Sequence, residues 1–163
     1  MLYERLKIVF FLILVSIGIT SCEEKVEYPI VPEIEFLAFY KLSTGLPFDY
    51  KGVLRFSFLD GDGDIGLNKE DMNSNLFISY FEKVDGVFLP VLPDTNNNTG
   101  QRIPWVTPEG VNKAIRGIVE DTITIPFFKL TSDTIRLSFY ITDRAGHKSN
   151  EVLTPEIYVR RGN

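Results

Sequence analysis

A chain of 163 residues with 44% hydrophobic content can bury one sizeable core, so a single globular domain is the expectation. The net charge of −5, without a basic stretch along the chain, argues against a nucleic-acid partner, because binding phosphates needs a positively charged face. Aromatic residues make up 13% of the chain, mainly Phe and Tyr, and with many Val, Ile and Thr they favour pleated, half-buried surfaces over helices.

The chain opens with a targeting pattern. Arg5 and Lys7 precede an apolar run over residues 8–19, and the small pair Thr20-Ser21 stands just before Cys22. That run is too short for a permanent membrane helix, which needs about 20 apolar residues. Residues 1–21 therefore read as a signal peptide that is removed, which takes Glu4, Arg5 and Lys7 with it and leaves a net charge of −6. Cys22 is the only cysteine, and an unpaired cysteine in an exported chain needs a reason. Ile19-Thr20-Ser21-Cys22 resembles the bacterial lipobox, which implies that Cys22 is acylated and becomes the mature N-terminus, with the membrane as a partner. Each buried acyl CH₂ contributes about 0.8 kcal/mol, so a three-chain anchor would hold essentially permanently. Glu23-Glu24-Lys25 resembles the acidic signal that sends lipoproteins of Bacteroidota to the outer face of the outer membrane. Residues 22–32, with Pro29 and Pro32, read as the lipidated cysteine and a short extended tether.

Residues 33–163 carry the folded domain. Short apolar runs are broken by turn signals, with a period of two and no 3.6-residue stripe. In residues 134–143, Ile135, Leu137, Phe139 and Ile141 alternate with Arg136, Ser138, Tyr140 and Thr142, the pattern of a strand with one buried face. Residues 53–59 do the same with Leu54, Phe56 and Phe58, and these two segments are expected at the centre of the fold. Further strands are expected over 34–42, 76–83, 87–92, 114–127, with a bend or bulge at Gly117 or near Asp121, and 151–160. Asp85-Gly86 predicts a tight hairpin, and residues 93–104, rich in Asn and Thr, predict a loop. About seven strands in this arrangement resemble an antiparallel immunoglobulin-like or fibronectin-type β-sandwich, with a jelly roll or a small open barrel as alternatives.

Asp60-Gly61-Asp62-Gly63-Asp64-Ile65-Gly66 is the internal stretch richest in chemistry. Three carboxylates at alternate positions repel one another unless a cation sits among them, and the glycines let the backbone curl so that oxygens converge as calcium requires. The spacing resembles the opening of an EF-hand loop, but Ile65 stands where that family has glycine and Asp71 where it has a bidentate glutamate. Asp60, Asp62 and Asp64 are the expected calcium ligands, Glu70 or Asp71 is a further one, and Asp143 joins them if the strand order is immunoglobulin-like. The alternative is an acidic turn without an ion. Residues 143–150 resemble turns of bacterial immunoglobulin-like domains, with His147, the only histidine, expected in solvent.

The lipobox, the acidic loop, residues 104–117 and residues 143–150 together resemble a group of Bacteroidota surface lipoproteins, and the resemblance implies no activity. An enzyme needs a nucleophile or base held by an orienting partner in a cleft, and no such motif is present, so a non-catalytic module is expected. Its partners are an outer-membrane protein complex or an extracellular glycan, the latter stacked on Trp105; the plainer role for Trp105 is to cap the core. A purely structural spacer domain is the remaining alternative.

Overall fold

The structure, a computed structural model of the chain, describes residue 3 and residues 28–91, 98–106 and 114–161. The rest of the expected signal peptide, Cys22 and Leu92 lie outside these residues. Among the described residues no helix is long and apolar enough to cross a membrane.

The domain is all-β. Its strands are β1 (Glu33–Lys41), β2 (Lys51–Asp60), β3 (Leu76–Val84), β4 (Val87–Pro90), β5 (Asn98–Gln101), β6 (Ile115–Thr124), β7 (Thr134–Ile141), β8 (Val152–Leu153) and β9 (Ile157–Tyr158). One antiparallel sheet has the order β1-β2-β6; the other has the order β4-β3-β7-β8, with β5 also on β3 and β9 also on β7. Nine segments fill seven strand positions. β4 pairs with Phe81 to Val84 and β5 with Leu76 to Ser79, along the same edge of β3. Similarly, β8 and β9 are two halves of one edge strand along β7. The result is a β-sandwich of two open antiparallel sheets, not a closed barrel.

Most strand expectations agree with these bounds, and the differences have local causes. The last strand is split because Pro155 has no N–H to give: Thr154 donates to the Leu137 carbonyl (2.9 Å), and pairing resumes at Ile157. β5 lies inside the segment read as a loop. The expected bulge in β6 is absent, since its register with β2 runs without a shift from Ile115 to Thr124. Gly117 instead makes room for the Phe58 ring, which lies 2.9 Å from where a Cβ would stand. The irregularity falls in β1, between Phe36 and Ala38. The Asp85-Gly86 hairpin forms as expected, with φ of 50° and 84°.

The core lies between the sheets. Leu54 and Phe56 of β2 face Leu137 and Phe139 of β7, and all four are fully buried. The Phe56 and Phe139 rings meet across the layer at a centroid distance of 5.2 Å. Each such side chain contributes about 1.5–3 kcal/mol of hydrophobic stabilisation. Leu76, Ile78 and Tyr80 of β3 complete the layer, with the Tyr80 hydroxyl donating to the Thr124 carbonyl at 3.0 Å.

Candidate metal centre

Strand periodicity carries two carboxylates to one end of the sandwich. Asp60 ends β2 and continues the inward row of Leu54, Phe56 and Phe58, so it is fully buried. Asp143 lies two residues beyond β7 and continues the row of Ile135, Leu137, Phe139 and Ile141 on the other sheet; it too is buried. The loop leaving Asp60 curls over this end. Asp60 Oδ2 accepts the N–H groups of Asp64 (2.8 Å) and Ile65 (3.3 Å), while Gly63 and Gly66 take φ of 68° and 95°. Ile65, which stands where an EF-hand has glycine, is fully buried and pins the loop to the core.

The loop after β7 closes the site. Asp64 Oδ2 accepts the N–H of Ala145 at 3.0 Å, and Asp143 Oδ1 accepts the N–H of His147 at 2.7 Å. Asp60, Asp62, Asp64 and Asp143 each offer one carboxylate oxygen, and these four oxygens lie within 4.8 Å of one another. Burial, only partly offset by the Asp64 N–H bond, and repulsion from Asp62 and Asp64 push the Asp60 carboxyl up to about 6. Burial and the charges of Asp143 and Asp62 push Asp64 upward as well. His147 lies in the loop with its side chain substantially exposed, as expected, and it is also paired. Its Nδ1 lies 2.7 Å from Asp143 Oδ2, and that bond followed by the carboxylate charge raises the imidazole above its ordinary value.

What sets these carboxylates apart is unmet bonding. Oδ1 of Asp60, of Asp62 and of Asp64 are all buried, and none has a hydrogen-bond partner among the described residues. Of the described carboxylates elsewhere in the domain, Asp121 leaves a single oxygen, Oδ2, unmet and alone, whereas the buried Glu82 and Asp49 are answered. Glu82 Oε2 accepts from Thr131 N (2.6 Å), Thr131 Oγ1 (3.0 Å) and Ser132 N (2.9 Å). Asp49 accepts two bonds from the Arg160 guanidinium and pairs with Lys41. Oxygen donors without a thiolate among them suit a hard divalent cation rather than zinc.

Asp71 does not join the group. Its Oδ1 turns back to accept the N–H of Asn73 at 2.9 Å, a local turn that directs the carboxylate away from the four oxygens. Glu70 lines a shallow groove with Asn68, Arg102 and Trp105. Trp105 is 40% exposed, and the Arg144 guanidinium carbon lies 3.8 Å from its ring centre. Arg144 also donates to the carbonyls of Ile65 (3.3 Å) and Gly66 (3.1 Å), tying the acidic loop, the loop after β7 and Trp105 together. No local sequence signal announced that role for Arg144.

Comparison with protein-family models, with curated proteins and with solved structures finds no match for this chain.

Proposed function

We propose that this chain is a lipid-anchored module of the bacterial outer membrane, without catalysis of its own, whose acidic loop binds calcium and stiffens one end of the sandwich for contact with a partner protein or glycan. The observation that carries the reading is that Asp60, Asp62 and Asp64, each with a buried, unpartnered oxygen, belong to the group of four carboxylates, with Asp143, that bring oxygens within 4.8 Å of one another. Leaving one buried polar group unmet costs about 1–3 kcal/mol, and more when it is charged, so three in one group call for a counter-ion. Extracellular calcium modules bind at about 10⁻⁴ to 10⁻³ M, which fits a structural ion rather than a signalling one. The anchor rests on Cys22 and the residues before it.

Isothermal titration of the purified chain with calcium, with magnesium as comparison, tests the metal. Saturable calcium binding that disappears in Asp62→Asn and Asp64→Asn supports the reading, and an absence of heat at millimolar calcium sinks it. Labelling of cells with an alkyne-tagged palmitate, lost in Cys22→Ala, tests the anchor separately.

A further inference from the structure

We infer that the acidic end of the sandwich is a membrane-docking face, on which the calcium ion held by Asp60, Asp62, Asp64 and Asp143 bridges the domain to phosphate groups of the lipid surface. The inference rests on the two readings above, the calcium ion and the anchor at Cys22.

The tether decides which end of the domain meets the lipid. The Pro29 carbonyl accepts the Gly61 N–H at 2.7 Å, between the ligand candidates Asp60 and Asp62. The contact is so close that a Cβ on Gly61 would overlap the carbonyls of both Tyr28 and Pro29. Asn150 holds the next stretch, exchanging two 2.8 Å bonds with the backbone of Ile34. The chain therefore enters the domain against the acidic loop. Cys22 stands six residues before Tyr28, a reach of at most about 20 Å. A strand of ten residues such as β2 is about 33 Å long, so the far end of the sandwich lies well beyond that reach from the point of entry.

The surface at this end fits a lipid partner. Ile30 is 60% and Val31 46% exposed beside the tether contact, and Trp105 and Val106 stand exposed on the other side of the loop. Trp105 comes close through Gly66, whose missing Cβ leaves room for the Pro104-Trp105 backbone. Large apolar side chains around a polar centre, with an arginine stacked on the tryptophan, match the headgroup level of a bilayer. The chain is acidic overall, and an anionic lipid surface repels it unless a cation lies between. Calcium takes about six to eight oxygens, more than one from each of four carboxylates, which leaves positions for lipid phosphate oxygens. Asp62 and Asp64 are only half-buried, so the group of carboxylates borders solvent on their side.

Trp105 is the only tryptophan and stands on the proposed face, so its emission reports docking. The lipidated chain is placed in vesicles of phosphatidylcholine and phosphatidylglycerol with brominated acyl chains, and emission is read in calcium and then in EDTA. The expected result is a calcium-dependent loss of Trp105 emission that EDTA reverses. An Ile30→Ser/Val31→Ser variant, which leaves the four carboxylates and the local charge untouched, is expected to bind calcium at wild-type affinity and to lose the quenching. Calcium binding by calorimetry without quenching overturns the docking face while leaving the metal site standing. Equal quenching in calcium and EDTA overturns the bridge, because the anchor alone then places Trp105. Absence of calcium binding brings down the metal reading beneath the inference, and failure of the chain to float with vesicles in EDTA brings down the anchor.

Discussion

Asp60 and Asp143 end the inward-facing rows of strands in opposite sheets, and each contributes a carboxylate oxygen to one group within 4.8 Å. The hydrophobic rows of β2 and β7 thus run into a common acidic cap. Without a cation that cap is a source of strain; with one it becomes a cross-brace between the sheets.

The first expectation is a reversal of sign. In EDTA, Asp62→Asn relieves repulsion on Asp60 and Asp64 and raises the melting temperature above wild type. In calcium at ten times its dissociation constant, the wild type gains about 1.4 kcal/mol, roughly 3–6 °C for a domain of this size, and the variant gains almost nothing. Differential scanning calorimetry in the two buffers checks it; a variant less stable than wild type in both would mean that Asp62 acts through bonding within the loop.

Arg144 and Trp105 form one unit, so their effects on stability should not add. Each single alanine variant is expected to lose about 1–2 kcal/mol, and the double variant to show a coupling of about 1 kcal/mol, as for a partly desolvated cation over an indole. Urea unfolding of the four proteins gives the coupling directly. A value near zero would make the stacking incidental.

Asp49 predicts the acid limb of stability. Burial pushes its carboxyl upward, but the side-chain and backbone bonds from Arg160 and the pairing with Lys41 outweigh it and hold the group down at about 2. A carboxyl lowered in the folded state contributes stability that is present above its unfolded value near 3.8 and is lost as pH falls from about 4 toward 2. Asp49→Asn should lower stability at pH 7 by about 1.5–3 kcal/mol, because the buried side chain exchanges charge-assisted bonds from Arg160, itself half in solvent, for weaker ones. It should also flatten the acid transition between pH 4 and 2, read by circular dichroism.

Asp121 points inward from β6, the outer strand of the three-stranded sheet. Its Oδ2 is buried with no partner among the described residues, and burial, offset in part by the Thr122 N–H, pushes the carboxyl upward. An inward charge on an edge strand is a known protection against pairing between chains. Asp121→Val is therefore expected to raise stability by about 1 kcal/mol and to increase self-association, the first read by chemical denaturation and the second by analytical ultracentrifugation. A more stable variant that stays monomeric at high concentration would remove the protective role.

Much of the fold and part of the site was legible because a strand's period of two is local. Residues 134–143 and 53–59 announced their buried faces, and extending the same rows by one position shows that Asp60 and Asp143 point inward. Asp85-Gly86 announced its turn because positive φ is a property of those two residues. The carboxylates of the 60–66 loop were visible as neighbours along the chain, which alone implies repulsion or a cation.

Which groups meet from distant parts of the chain was decided by the tertiary structure. That Asp71 faces its own turn, that Arg144 covers Trp105, that Pro29 seats on Gly61 and that β8 and β9 share one edge all depend on strand order and register. Those are set by packing two sheets over one core, a balance of burial and chain entropy summed over the whole domain, and no short stretch of sequence contains it.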